Sequence, residues 1–212
     1  RVHPENRLSD GPKRAGELAG ELTNTDGVDI LMAHATPETT VPVSAQCEAN
    51  ATPCITADTP WQPWVAGMGG NPGDPSTAFK WAFHFFWGLE DIAAVNMEVW
   101  NQVDTNKKVA ALYPNDADGQ AFTDEATGYP AIIVPAGFEW NNPGLYPAGT
   151  QDFSAQIAAF KDNDDQILTG IVPPPDFVNF WKQAKQQGYN PKVATIGKAI
   201  EFPAAVAALG DL

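Results

Sequence analysis

Apolar positions along this chain repeatedly switch from an extended to a helical period. Val28 to Ala33 is a near-continuous apolar run, which predicts a strand covered on both faces. The polar turn His34-Ala35-Thr36-Pro37-Glu38-Thr39-Thr40 follows, then a helical pattern from about Val41 to Asn50 and a second short strand from Pro53 to Thr56. Upstream, Arg1 to Ser9 reads as a strand remnant and a loop. Asp10 to Thr23 reads as a helix, with Leu18 and Leu22 four positions apart on one side. Downstream, Ala57 to Trp64 is an aromatic loop and Gly67 to Ser76 a Gly/Pro/Asn loop. Phe79 to Trp87 alternates, with Phe79, Trp81, Phe83, Phe85 and Trp87 on one face and Lys80, Ala82, His84 and Phe86 on the other.

The same alternation of elements continues to the end. A helix is predicted from Glu90 to Val103 and a strand from Lys108 to Pro114, ending in the acidic loop Asn115 to Gly119. A short helix over Gln120 to Ala126, a strand near Ala131 to Val134 and a long loop from Gly137 to Thr150 come next. Asp152 is placed to cap a helix from Phe153 to Lys161. The strand Gln166 to Val172, the Pro173-Pro174-Pro175-Asp176 loop and a helix from Phe177 to Gln187, closed by Gly188, follow. The strand Lys192 to Ile196, the Gly197-Lys198-Ala199 loop and a helix through Ala204 to Leu209 complete the chain. Strand and helix in sustained alternation predict a doubly wound α/β fold with mostly parallel sheets. In such sheets small ligands lie outside the carboxyl ends of the strands. The hydroxyl-rich loops at His34 to Thr40 and Ala57 to Thr59 are therefore candidate binding loops, the first at a helix start suited to an anion.

Charge narrows the partners. The 212 residues carry a formal charge of −14, which leaves no basic field for nucleic acid or anionic lipid. No apolar run is long enough to cross a bilayer. Arg1 is not an initiator methionine and no signal-like segment stands at the start, so a mature or excised chain is expected. The two cysteines, Cys47 and Cys54, lack the partners of a zinc site. A disulfide or two free thiols remain; the short turn between them favours the disulfide, and with it an oxidising, extracytoplasmic compartment.

Several motifs fall away on inspection. Gly67-Met68-Gly69-Gly70 lacks the spacing and setting of a phosphate loop and is a turn. Asn115 to Glu125 imitates a calcium loop, but its first ligand position is Pro114, which has no side-chain oxygen. Asn50-Ala51-Thr52 matches a glycosylation sequon of a kind common by chance. His3, His34 and His84 are too scattered for a metal site; only His34 stands at a strand end, as a ligand contact or a hydrogen-bonded loop histidine. No nucleophile elbow occurs and neither cysteine has a histidine base, so no enzyme and no cofactor are expected. Of the seven tryptophans, Trp61 and Trp64 lie in a polar, Pro-rich loop. There they either wall a ligand pocket or pack as a lid on their own lobe, and ligand contact is the favoured reading.

Certain segments resemble one family. They are Gln46-Cys47-Glu48-Ala49-Asn50 with Pro53-Cys54-Ile55, Phe85-Phe86-Trp87-Gly88, and Lys107-Lys108-Val109 running into Pro114 to Gly119. Asp152 to Ile157, and Phe180-Trp181-Lys182-Gln183-Ala184 followed by Gly188-Tyr189, complete the set. The chain resembles the substrate-binding proteins of bacterial ABC importers, of the branched-chain-amino-acid type with the type 1 periplasmic-binding fold. That resemblance implies two lobes, residues 1–87 in the first and 88–212 in the second, clamping a ligand between them. It also implies a fragment, with the first strand and helix missing before Arg1 and the return to the first lobe missing after Leu212. Matched by position, Thr36, Thr39, Thr40, Ala57 and Thr59 would hold a ligand carboxylate on the first lobe. Asp116, Asp118, Pro174, Asp176 and Lys198 would face it from the second. The family often has an acid near Lys198 for the ligand amine, and Glu201 stands only near that place. This departure points towards an anionic or aromatic ligand such as an aryl carboxylate. The implied full-length protein is a periplasmic or otherwise extracytoplasmic, cell-envelope-associated monomer that binds a small molecule and docks with ABC permease subunits. The alternative is a ligand-sensing domain of a receptor or regulator on the same fold.

Overall fold

A computed structural model describes residues 11–74, 76, 78–201 and 203–210. The expected Arg1 to Ser9 segment, His3 and the first residue of the expected Asp10 helix lie outside the described residues. The chain divides into two compact units between Leu89 and Glu90.

In the first unit the order is α1 (Gly11–Asn24), β1 (Leu31–His34), α2 (Pro37–Asn50), β2 (Cys54–Ala57), α3 (Trp61–Gly67) and β3 (Ala82–Phe85). The strands form a parallel sheet in that sequence, pairing Leu31 with Cys54 and Cys54 with Ala82. Period-two alternation puts Leu31, Cys54 and Ala82 on one face, where they pack with Ala19 of α1, Val43 and Cys47 of α2 and Trp64 of α3. Asn50 at the end of α2 donates to the Thr23 hydroxyl of α1 at 3.0 Å, so the sequon asparagine serves helix–helix packing.

The other face corrects one expectation. Met32, Phe83 and Phe85 are 78%, 56% and 80% exposed, so β1 is covered on one side only among the described residues. The aromatic row of β3 points outward, and the small Ala82 and the polar His84 point inward, where Ala82 joins the core and His84 stacks on Trp64. Trp87, on the same face of the alternation, is 64% exposed. The aromatic loop is also revised: Pro60 leads directly into α3, a helix carrying both Trp61 and Trp64.

The second unit holds α4 (Leu89–Trp100), β4 (Lys108–Leu112), α5 (Ala117–Thr123), α6 (Tyr129–Ile133) and β5 (Glu139–Asn141). Then come α7 (Ser154–Asp162), β6 (Ile167–Ile171), α8 (Pro174–Gln186), β7 (Val193–Gly197) and α9 (Pro203–Leu209). Its four strands are parallel in the order β5-β4-β6-β7. Both faces are buried. Ala110, Leu112, Leu168 and Ile196 pack under Phe153, Phe160, Phe177 and Phe180 of the α7 and α8 layer. On the reverse face, ring contacts join Trp100 to Phe138 and run from Tyr113 through Phe122 and Tyr129 to Trp140.

Two elements differ in kind from the sequence reading. Ala131 to Val134 was expected as a strand, but Ala131 to Ile133 lie in α6 and Val134 is its C-cap, because Pro130 in its first turn presets the helical φ and a four-residue apolar run does not distinguish strand from buried helix. The strand partner of β4 is instead Glu139–Asn141, inside the expected loop. Asp152 accepts from the Ser154 amide at 2.9 Å, one residue before the cap position of α7. Gly188, at φ 74°, closes α8 in the left-handed conformation its position requires.

Cys47 and Cys54 are fully buried free thiols, not a disulfide. Cys47 projects from the interior of α2 onto the first residue of β2, and the two groups meet as a hydrogen-bonded pair inside the apolar core. Hydrogen bonding to Cys54 together with burial pushes the Cys47 thiol up, while the same contact holds Cys54 below its ordinary value. The inference from a disulfide to an oxidising compartment therefore loses its support.

Candidate functional site

The carboxyl ends of β1 and β2 carry the polar loops of the first unit. Ala35 and Thr36 both have positive φ, at 62° and 56°, a conformation that costs non-glycine residues energy and gathers at functional sites. This turn delivers the chain into α2 at Pro37, with Thr36 at the cap position and no hydrogen bond from its side chain to the helix. The Thr36 carbonyl instead accepts from the amides of Thr39 and Thr40 and from the Thr40 hydroxyl at 3.0 Å. Thr36 and Thr39 are half-buried and Thr40 is buried.

Thr40 reaches across to the next loop. Its hydroxyl and that of Thr59 are 3.1 Å apart, both fully buried. Thr59 is held from below by His84, whose Nε2 lies 2.7 Å from the Thr59 carbonyl and whose Nδ1 lies 2.8 Å from the Thr56 hydroxyl. A carbonyl only accepts, so Nε2 carries the proton and donates, and Nδ1 accepts from Thr56. Trp64 stacks on the same imidazole at 4.7 Å between centroids and donates its indole N–H to Ser44 at 3.0 Å. Burial holds His84 below the ordinary imidazole value, outweighing its hydrogen bond to Thr59 and the charge of Asp58.

The first-unit candidates therefore separate by depth. Thr40, Thr59 and Trp64 form an internal support, while Thr36, Thr39, Ala57 and Trp61 are half-buried at the loop surface. His34 is exposed, with Nδ1 3.5 Å from the Asp58 carboxylate. The residue missed by sequence reasoning is His84. Its place beside Ala82 on the small-residue side of the β3 alternation was the available signal, and the aromatic row obscured which side faced inward.

In the second unit the loops after β4, β6 and β7 carry the charged candidates. Asp116 caps α5 by accepting from the Gly119 amide at 2.8 Å. A Cβ on Gly119 would stand 1.8 Å from the Pro114 carbonyl oxygen, so the glycine of the calcium-like stretch is required by close packing of α5 against the end of β4. Asp118 is buried and ion-paired with Lys198, which joins the β4 and β7 loops. Lys198 itself has φ 66°, and its amide donates to Glu201 at 2.6 Å. Pro174 opens α8, and Asp176 in its first turn is buried and accepts from the Gly149 amide at 3.1 Å. A cavity of about 290 Å³ adjoins the ends of β6 and β7, lined by Ile92, Asn96, Tyr129, Ile171, Thr195 and Ile196 among others. Among the described residues no cluster of side chains fits a metal ion and no helix is long and apolar enough to cross a membrane.

Parallel α/β units with polar loops gathered at the strand ends define a class of ligand-binding architecture. The profile of the periplasmic binding protein family matches residues 10–211, and the chain belongs to that family. Solved structures share the fold. The leucine-binding protein LivK of Thermotoga maritima superposes with a TM-score of 0.75 at 15% identity, over 94% of this chain and 53% of that one. An ABC-transporter solute-binding protein of R. palustris in complex with 4-hydroxybenzoate gives 0.71 at 16%, over 95% and 52%. The substrate-binding protein LivJ of Streptococcus pneumoniae, in complex with isoleucine, gives 0.67 at 17%, over 99% and 55%. The chain thus spans about half the length of the solved structures it matches. No curated protein sequence matches it.

Proposed function

We propose that this chain is part of an extracytoplasmic solute-binding protein that delivers a small ligand, an amino acid or a carboxylate or aromatic acid, to ABC permease subunits by closure of two hinged lobes. The reading rests on the family match across residues 10–211. The polar loops at the strand ends support it, together with an acidic surface unsuited to nucleic acid. Thr36, Thr39 and Ala57 are the contacts proposed on the first unit, flanked by His34 and Trp61, with Thr40, Thr59 and Trp64 holding their loops in place. Lys198, Asp116, Asp118, Pro174 and Asp176 are the residues proposed on the second. The role is one of binding and transfer, with no chemical step. Isothermal titration of the full-length protein against amino acids and aromatic acids tests it: saturable one-to-one binding of a member of either class is expected. A folded protein that binds none of them refutes the reading.

A further inference from the structure

Two strained turns and one imidazole are joined in the first unit. Ala35, Thr36 and Asp58 hold φ of 62°, 56° and 60°, and they lie in the loops that follow β1 and β2. Non-glycine residues keep that conformation only where the surrounding contacts impose it. Those contacts start from β3, where His84 Nε2 donates to the Thr59 carbonyl at 2.7 Å. The Thr40 hydroxyl donates to the Thr36 carbonyl at 3.0 Å, so in its 3.1 Å contact with Thr59 the Thr59 hydroxyl is the donor. Through Thr59 and Thr40, His84 is linked to both turns.

The imidazole fits this network in one protonation state. When neutral, it offers a donor to the Thr59 carbonyl and an acceptor to the Thr56 hydroxyl, which is fully buried and 2.8 Å away. When protonated, it carries two donors; the Thr56 hydroxyl must turn, and its own proton needs another acceptor in the interior. Around the ring, β2 presents Thr56, α3 the Trp64 ring, and the loop between them Thr59 and Asp58. From α2, Ser44 meets the group through Trp64. Cys54, paired with Cys47, stands level with Ala82, and Glu48 accepts from the Trp81 and Ala82 amides at the start of β3. Asp58 is the charge that favours the imidazolium, but its side chain is 56% exposed and lies 3.5 Å from His34, so solvent weakens it. Burial prevails and holds His84 below its ordinary value.

From this arrangement, and resting on the solute-binding reading above, we infer that His84 is a positioning residue that couples the first-unit loops to pH: the neutral imidazole keeps them set for ligand, and its protonation releases them. Proton and ligand then oppose one another, each lowering the affinity for the other by the same factor. The test joins NMR of the His84 imidazole to calorimetry on the full-length protein, from about pH 8 to about pH 5. The Thr36, Thr39 and Thr59 amides shift with the imidazole, through one midpoint below 6.5. The tightest binder among leucine, isoleucine, benzoate and 4-hydroxybenzoate loses at least about threefold in affinity through that midpoint, and no more than about tenfold per pH unit. Saturation with that binder lowers the imidazole midpoint in return. In His84→Gln, whose amide can still donate to the Thr59 carbonyl, affinity holds level across the range relative to its own value at the alkaline end. His34 remains in that variant, so its titration beside Asp58 cancels in the comparison. The imidazole and amide titrations are read on the parent protein and stand even where the variant fails to fold. Loop amides that do not follow the imidazole, or an acid loss of affinity as large in His84→Gln as in the parent, overturn this inference and leave solute binding standing. Where the folded protein binds none of the four acids, the solute-binding reading falls and the amides decide the coupling: shifts that track the imidazole uphold it, and their absence overturns it.

Discussion

His84 is wired as a neutral imidazole, and acid should therefore loosen the loops it supports. Protonation would put a second proton on Nδ1, which accepts from the Thr56 hydroxyl at 2.8 Å, and would place a charge against the stacked Trp64 ring inside the unit. The sign follows from the direction of the shift. The folded-state pKa is lowered from the ordinary 6.5, so the unfolded chain takes the proton first. The stabilising contribution is fully present above that value. It is lost as pH falls below 6.5 towards the folded-state pKa, at no more than about 1.4 kcal/mol per pH unit. His84→Gln removes the titration while its amide can still donate to the Thr59 carbonyl. His84→Ala removes two hydrogen bonds and a stacked ring together, a loss of about 2–4 kcal/mol. Urea unfolding of the full-length protein between pH 8 and pH 4.5 (about 0.5-unit steps) gives the comparison. The stability difference between the parent and the glutamine variant should stay constant above pH 6.5 and shrink below it. Parallel pH profiles for the two proteins, or a His84 NMR titration at or above the free imidazole value, would refute the reasoning.

Other expectations follow from single contacts. Gly119→Ala forces a Cβ to within 1.8 Å of the Pro114 oxygen and should destabilise the second unit by about 3 kcal/mol, read from its denaturation midpoint. Cys47 and Cys54 should both resist thiol reagents in the folded protein, and denaturation without reductant should release two titratable thiols per chain; a count of zero would restore the disulfide. Trp64→Phe keeps most of the ring but loses the bond to Ser44, and should cost about 1 kcal/mol with little change in the far-ultraviolet spectrum.

Legibility in the sequence followed the strength of local signals. The buried strands β4 and β6 were plain because both faces of their sheet are covered, which makes Val109 to Leu112 and Ile167 to Leu168 continuous apolar runs. Helix ends marked by Asp152 and Gly188 were plain for the same local reason. The α6 segment failed because the four apolar residues Ala131 to Val134 fit either period, and only Pro130 and its neighbours decide between them. On β3 the alternation was correctly seen, but which of its two faces turned inward was left open. The inner side carries Ala82 and a hydrogen-bonded imidazole, while Phe83 and Phe85 face outward. Site residues were legible as strand-end hydroxyls and charges. Their division into surface contacts and buried supports was not, since the Thr40–Thr59 contact and the Asp118–Lys198 pair join positions 19 and 80 residues apart.

The two sheets, covered to different extents, also set how independently each part of the chain can hold its shape. The second unit closes a core on both sides of its sheet and has what an autonomous cooperative element needs. In the first unit, Met32, Ile55, Phe83 and Phe85 line a face that no described residue seals, so its hydrogen-bonded ladder has little apolar burial on that side to resist local opening. Amide exchange in this 212-residue polypeptide should accordingly run as two tiers, fast in β1 and β3 and slow in β4 and β6. Limited proteolysis should then leave the portion after Leu89 as the resistant core.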